Sequence, residues 1–87
     1  MNMRLRVYTR ERQLVDEDVL EVTAPGAYGE IGVLPDHAAL VTTLEPGELS
    51  YRETGGAVQR IRIAGGFAEV RDDVMTVLAD AGEDVAA

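Results

Sequence analysis

The sequence has 87 residues, with 16 acidic and eight basic side chains, a formal net charge of −8 and no cysteine. This length predicts one small domain, and the lack of cysteine excludes a disulfide scaffold or a thiolate metal site. The acidic balance argues against nucleic acid and anionic lipid as partners, because both attract clustered Lys and Arg.

Signals for membrane insertion or export are not found. No apolar run approaches the ~20 residues that a membrane-spanning helix needs. The basic start, residues 1–6, is not followed by the apolar region of a signal peptide and does not resemble an amphipathic transit sequence. These features predict a soluble bacterial protein of the cytoplasm.

Strand patterns dominate the first third of the chain. Arginines alternate with apolar residues over residues 4–7, the two-residue period of a half-buried strand. The acidic run 16–18 predicts a turn, residues 19–24 predict a second strand, and Pro25-Gly26 ends it. A helix over residues 11–20 is the alternative here, since its apolar residues also fit helical spacing, although three consecutive acids weaken it.

The rest of the chain alternates short apolar runs with turn residues. Turns are predicted at Glu45-Pro46, at Thr54–Gly56, at Gly65-Gly66 and at Asp72-Asp73. Turn signals every 8–12 residues or so are typical of an all-β sandwich or barrel. The strands between them are predicted at residues 39–44, 47–52, 57–64, 67–71 and 74–79.

Residues 74–78 are apolar on both faces of the predicted strand, except for Thr76. This pattern predicts either a central strand that is covered on both sides or a strand that contacts another subunit. The domain is expected to span residues 1–82. The small acidic tail, residues 83–87, is expected to fray.

His37 is the first candidate for chemistry, because it is the only histidine and follows Asp36. A His–Asp pair could serve general acid–base catalysis, but adjacent residues of an extended chain point to opposite sides. Ser50 is the only serine, and no spacing indicates further metal ligands. The alternative is a histidine whose ring hydrogen-bonds the backbone in a turn after Pro35.

Glu30 is the second candidate for a functional residue, because it lies between Gly29 and Gly32. A tight loop at these glycines would project its carboxylate outward, whereas the simpler interpretation is a solvated turn glutamate. Together with Gly26, the glycines resemble a phosphate-binding loop only superficially. Such a loop needs a helix N-terminus and commonly a lysine, and here Pro35 and a further strand follow.

Two further pairs of residues are placed by pattern alone. Arg60 and Arg62 alternate with isoleucines, which predicts the solvated face of a strand, with an acidic partner as the alternative. Phe67 and Met75 are predicted to lie in the core or to act as buried anchors at an interface.

Two long motifs point to a known family. The first motif, residues 29–47, reads GEIGVLPDHAALVTTLEPG, and the second combines residues 65–70, GGFAEV, with residues 74–80, VMTVLAD. In this order and separation the motifs resemble the epsilon subunit of F-type ATP synthases, and the resemblance extends over residues 4–82. It implies a compact β-sandwich of about ten short strands in two sheets.

The resemblance also implies a function without an active site or a cofactor. Such a subunit binds the gamma subunit and the ring of c subunits in the central stalk, on the cytoplasmic face of the bacterial inner membrane, without inserting into the membrane. It couples rotation to ATP synthesis or hydrolysis. The isolated chain is expected to be monomeric, because its charge of −8 disfavours self-association.

Two sets of residues receive roles, the first implied by the resemblance and the second predicted from the turn signals of the sequence. Those expected at the interface with gamma or the c ring are Gly29, Glu30, Ile31, Gly32, His37, Ala38 and Leu40. Those expected to shape structural turns are Gly26, Pro35, Pro46, Gly47, Gly65 and Gly66.

Other possibilities stay open. The family usually continues into a regulatory C-terminal helical hairpin that lies beyond position 87, so any regulatory role is left undecided. The main alternative to a stalk subunit is a free-standing β-sandwich module that binds a small ligand or sugar, although such modules usually have more exposed aromatic side chains. A small hydrolase built on His37 is a second rival, and it lacks a nucleophile in register.

Overall fold

The computed structural model describes residues 1–84, which form nine β-strands and no helix. No helix long and apolar enough to cross a membrane is therefore present in this part of the chain. All pairings are antiparallel except that of β1 with β8, which is parallel. The strands are β1 (Met3–Tyr8), β2 (Gln13–Gly26), β3 (Gly29–Val33), β4 (Leu40–Leu44), β5 (Gly47–Glu53), β6 (Val58–Ile63), β7 (Gly66–Arg71), β8 (Val74–Ala79) and β9 (Gly82–Asp84).

The strands form two layers that share the long strand β2. The first layer has the order β2–β1–β8–β7–β4, and the second has the order β9–β6–β5–β2–β3. Residues 13–19 of β2 pair with β1, whereas residues 22–26 pair with β3. With β2 counted once in each layer, the nine strands supply the ten segments of the predicted sandwich. The all-β sandwich is confirmed.

A bulge at Leu20 lets β2 serve both layers. Before it, Val15 and Val19 are buried, and after it Val22 and Ala24 are buried, so the inward positions change from odd to even. The pairing with β5 shifts register between Val19 and Glu21. An extra residue in a strand bends it and reverses which side chains face inward.

The structure corrects two predictions for this region. The run Asp16–Asp18 is not a turn but the middle of β2, and residues 11–20 do not form a helix. Asp16 and Asp18 lie directly opposite Arg6 and Arg4 of β1. The cross-strand arginines offset the repulsion between the acids, so the acidic run is stable in an extended strand.

The core consists of the inward residues of both layers and includes Met75 as predicted. Phe67 is 45% exposed, so it does not lie in the core of this domain, and its alternative role as an interface anchor stays a prediction. Its neighbours Ala68 and Val70 occupy the inward positions of β7, which turns Phe67 outward. The largest fully buried side chains are Met3, Leu5, Leu49, Ile61, Ile63 and Met75.

Turns gather at the two ends of the sandwich. At the first, which we call the Tyr28 end, the connections after β2, β4, β6 and β8 are joined by backbone hydrogen bonds, among them Ala27 N–H to Thr43 C=O at 2.9 Å and Asp80 N–H to Gly65 C=O at 2.9 Å. The opposite end, the His37 end, contains residues 34–39, the β5–β6 turn and the β7–β8 turn Asp72-Asp73.

The predicted turn residues flank these connections. Gly26 ends β2, Pro35 lies in the turn after β3, Pro46 separates β4 from β5, Gly47 begins β5, and Gly65 and Gly66 lead into β7. Gly66 has a φ of 138°, and a Cβ there would lie 2.9 Å from the Ala79 Cα and closer still to the Leu78 carbonyl oxygen. Only glycine allows β7 to approach β8 in this way.

The last described strand begins where the domain was expected to end. Gly82–Asp84 forms β9 and pairs with Ile61–Ile63 of β6. The predicted frayed tail, 83–87, therefore starts inside a strand, and residues 85–87 lie outside the described part of the chain.

Candidate partner interface

The candidate interface residues 29–32 form most of β3, an edge strand, instead of a tight loop. β3 pairs only with β2 among the described strands, with Gly29 opposite Gly26 and Val33 opposite Val22. Glu30 is exposed, as predicted, while Ile31 is half-buried against the core. Gly29 has a φ of 129°, which favours glycine, whereas Gly32 has no such conformation, and a Cβ added there would meet no atom within 4 Å.

His37 lies in the exposed connection between β3 and β4, beside the exposed Ala38. Its Nδ1 is 2.7 Å from the carbonyl oxygen of Ala38, so Nδ1–H donates to that oxygen. This is the predicted hydrogen bond from the ring to the backbone. Leu40, at the start of β4, is half-buried and packs against the core.

The turn before His37 is held by the opposite hairpin. The backbone N–H of Asp36 donates to Oδ1 of Asp73 at 2.5 Å, across 37 positions of sequence. The two turns and His37, together with Ala39 and Arg71, line a shallow depression of about 420 Å³. No group of three potential metal ligands occurs there or elsewhere in the described residues.

The structure does not bring Glu30 and His37 together. Glu30 is opposite Pro25, near the Tyr28 end, while the His37 loop is tied to Asp73 at the other end. The three steps from Glu30 to Val33 alone span about 10 Å at the strand rise of about 3.3 Å per residue. The predicted interface residues therefore form two separate groups, one on β3 and one on the β3–β4 loop and the start of β4.

A third surface consists of residues outside the two groups expected at the interface. The outward side chains of β4, β7 and β8 include Val41, Phe67 and Leu78, which are 69%, 45% and 42% exposed. Phe67 lies opposite Leu78 on β8 and opposite Thr43 on β4. With the fully exposed Tyr28 beside them, these residues make up what we call the apolar face.

The apolar face has a defined shape. An open groove of about 740 Å³ crosses it and is lined by Tyr28, Val41 and Phe67, with Asp80 as its only charged lining residue among those described. The sequence signal for this face is the apolar run 74–78, which predicts either a covered strand or a subunit contact. β8 is paired on both edges, and its outward side is not covered by any described element.

The same sheet becomes charged toward the β1–β2 edge. Arg4 Nε lies 2.7 Å from Asp16 Oδ1, and Arg4 also reaches Asp18 at 3.3 Å. Arg6 contacts Asp16 at 3.4 Å. The hydrogen bond from Arg4 lowers the pKa of Asp16 below its ordinary value, and the same bond raises the pKa of Arg4. This network is exposed, so its role in stability is small.

Glu17 is the one carboxyl group of this region with a raised pKa. It stands between Val15 and Val19 on β2, so partial burial disfavours its charge first, and the nearby charge of Glu53 adds to the effect. When the pH falls, Glu17 therefore takes up a proton before Asp16, whose pKa is shifted in the opposite direction.

The arginines of β6 are solvated, as predicted. Arg60 and Arg62 point outward from a strand whose inward residues are Ile61 and Ile63. Arg60 contacts Glu48 of β5 at 3.3 Å. Arg60 thus has an acidic neighbour within the same chain.

Comparison with known proteins gives one consistent family. A sequence model of the ATP synthase delta/epsilon chain β-sandwich domain matches residues 2–85. The ATP synthase epsilon chain of Desulfosudis oleivorans is 44% identical over 82 residues, which are 94% of this chain and 62% of that one. The epsilon chain of Pelotomaculum thermopropionicum is 45% identical over 80 residues, 92% of this chain and 59% of that one. This chain thus spans about three fifths of the length of these relatives.

Solved structures show the same fold inside larger assemblies. A chain in the OSCP/F1/c-ring structure of Euglena gracilis mitochondrial ATP synthase matches with a TM-score of 0.90 at 30% identity, covering 95% of this chain and 53% of that one. A chain in the central stalk/c-ring structure from Tetrahymena thermophila matches with a TM-score of 0.81 at 19% identity, covering 97% and 67%. The second likeness concerns the fold alone.

Proposed function

The chain belongs to the ATP synthase delta/epsilon chain family, as its β-sandwich domain, and on that premise we propose that it is a non-catalytic subunit of the central stalk. It binds the gamma subunit and the c ring of an F-type ATP synthase, and couples rotation to ATP synthesis or hydrolysis. Its place is the cytoplasmic face of a bacterial inner membrane, consistent with the bacterial relatives. It needs no cofactor for this role.

The observation that carries this proposal is the apolar face. Several large apolar side chains exposed on one sheet of a small acidic domain are typical of a surface that a partner covers. Phe67 and Tyr28 are aromatic residues of the kind that dominate binding energy at interfaces. We assign this face to the gamma subunit, because a second copy of this chain would bring two charges of −8 together.

The two groups of interface residues complete the assignment. Gly29, Glu30, Ile31 and Gly32 on β3, and His37, Ala38 and Leu40 at the other end, belong to the interface with gamma or the c ring. Glu30 and His37 supply exposed polar groups, while half-buried Ile31 and Leu40 anchor the backbone that presents them. Because the groups lie apart, we expect them to contact different parts of the rotor.

A matched pair of variants tests the assignment to gamma. Phe67 and Val58 are both 45% exposed, but Val58 lies on β6 in the other layer. Phe67→Ser should weaken binding to the cognate gamma subunit by about tenfold or more, the effect of losing roughly 1.4 kcal/mol at an aromatic anchor. Val58→Ser should change it by less than about twofold.

Calorimetry with purified gamma measures both constants, and thermal melting of each isolated chain shows whether the variants fold. Equal affinities for the two variants would reject the apolar face as the gamma surface. If the wild-type chain forms a dimer that survives dilution and that Phe67→Ser dissolves, the occupant is a second copy and the assignment is wrong.

A further inference from the structure

Three residues at the His37 end adopt a backbone conformation that is unusual outside glycine. Asp36, Asp72 and Asp73 have φ values of 67°, 52° and 62°, and no other non-glycine residue in the described chain has a positive φ. Asp tolerates this conformation better than most residues, since its side chain hydrogen-bonds locally. The two turns that contain these residues lie far apart in the sequence and are in contact in the fold.

Asp73 is bonded through both its side chain and its backbone. Its Oδ1 accepts the N–H of Asp36 at 2.5 Å, and its carbonyl oxygen accepts the N–H of Arg4 at 2.8 Å. The first bond fastens the β3–β4 loop, and the second fastens the turn itself to the start of β1. The side chain of Asp72, the other residue of the turn, makes no hydrogen bond within residues 1–84.

We propose that Asp73 is a positioning residue that fixes the β3–β4 loop in the form that presents His37 and Ala38 to the rotor. The loop leaves the core after the buried Val33 and rejoins it at Leu40. Between these anchors, the bond from Asp36 to a carboxylate holds the turn immediately before His37. A hydrogen bond to an ionised acceptor is stronger than one between neutral groups. The proposal rests on the proposed function, because it concerns how that interface is shaped.

The bond acts on His37 through the backbone. The ring is already oriented by Nδ1 donating to the Ala38 carbonyl oxygen, so the position of residues 36–38 sets where Nε2 lies. If the turn at Asp36 loosens, the ring and Ala38 move with it. Asp73 therefore affects binding through the position of the loop.

Substitution by glycine separates the hydrogen bond from the backbone conformation. Asp73→Gly removes the carboxylate and keeps a residue that adopts positive φ freely, and Asp72→Gly makes the same change one residue earlier, where no hydrogen bond is lost. Asp73→Asn restores a side-chain oxygen that accepts the bond and also tolerates the left-handed region. The first measurement is amide hydrogen exchange at Asp36 in the isolated chain, which needs no partner.

We expect Asp73→Gly to speed exchange at Asp36 by about tenfold or more, as for the loss of a hydrogen bond to a charged group. Asp72→Gly should leave it within about twofold, and Asp73→Asn should return most of the protection. The second measurement is affinity for the cognate complex of gamma with the c ring. Asp73→Gly should weaken it by about threefold to tenfold, with Asp72→Gly close to wild type.

The outcomes separate this inference from the proposed function. Unchanged exchange at Asp36 in Asp73→Gly, or the same increase in Asp72→Gly, shows that the carboxylate does not hold the loop. Faster exchange with unchanged affinity rejects the positioning role while the proposed function stands. A wild-type chain that does not bind the rotor complex rejects the proposed function, and with it the role of the loop at that interface.

Discussion

Gly66 provides the sharpest test of how the sandwich closes at the Tyr28 end. It pairs with Leu44 of β4 on one side and with Ala79 of β8 on the other, at the floor of the groove in the apolar face. In Gly66→Ala, the added methyl group would collide with the Leu78 carbonyl and with the Ala79 Cα at 2.9 Å. Both obstacles are backbone atoms, so no side-chain rotation relieves the clash.

The expected cost has two parts. Overpacking a close contact costs about 1–3 kcal/mol, and holding alanine at a φ of 138° adds about 1 kcal/mol or more. The free energy of unfolding should therefore fall by about 2–4 kcal/mol. In a domain of this size, 1 kcal/mol shifts the melting temperature by about 4–8 °C, so Gly66→Ala should melt roughly 8–32 °C below wild type.

Gly55→Ala is the matched control, because nothing lies within 4 Å of its added methyl group and its φ is not positive. It should stay within about 0.5 kcal/mol of wild type. Circular dichroism melts and urea titrations of both variants give the comparison. If Gly66→Ala and Gly55→Ala melt together, the close approach of β7 to β8 is not a constraint and the reasoning is refuted.

Three further changes have directions that follow from the structure. Glu17→Gln should stabilise the chain near neutral pH by up to about 0.5 kcal/mol. Burial and the charge of Glu53 raise the folded pKa of Glu17, so its negative charge lowers stability at pH values above that pKa. In urea titrations, the advantage of Gln should therefore shrink as the pH falls toward 4.5. Asp16→Asn should destabilise the folded chain slightly at neutral pH and have no effect on its stability in acid. The hydrogen bond from Arg4 lowers the folded pKa of Asp16, so the stability that this carboxylate contributes is lost as the pH falls through that pKa. A stability difference that grows in acid would contradict this. Glu30→Ala should leave the melting temperature of the isolated chain unchanged, within about 0.5 kcal/mol, while lowering the proton-pumping yield of the reconstituted complex; unfolding, or no change in either quantity, would remove Glu30 from the interface.

The sequence predicts those parts of the fold that depend on local chemistry. The turns at Thr54–Gly56, Gly65-Gly66 and Asp72-Asp73 all appear where glycine or aspartate provides positive φ. The turn predicted at residues 16–18 is wrong, because the arginines that stabilise this acidic run in a strand lie 10 to 14 residues away and the pairing is non-local. The bulge at Leu20 carries no sequence mark of its own, since the residue is an ordinary apolar one in a strand pattern.

The sequence predicts which residues of the candidate interface are exposed, but it does not predict how those residues are arranged relative to one another. The exposure of Glu30 and His37 follows from their polarity and the turns around them. Their separation depends on β3 pairing along β2, which only the register reveals. A core position is the ordinary expectation for Phe67, because large aromatic side chains are usually buried, and alternation within β7 alone could have indicated its outward direction.

Strand β2 also determines how the domain responds to force. In many sandwiches, two sheets meet only through side chains and could slide past each other under load. Here the same backbone runs through both layers and continues across the bulge at Leu20, with hydrogen-bonded neighbours on either side. A twisting load applied at the apolar face therefore passes through the hydrogen-bonded pairings of β8 with β1 and of β1 with β2, and then along the backbone of β2 into the other layer. The two layers are thus joined by a continuous backbone as well as by core side chains, which opposes the sliding of one layer over the other.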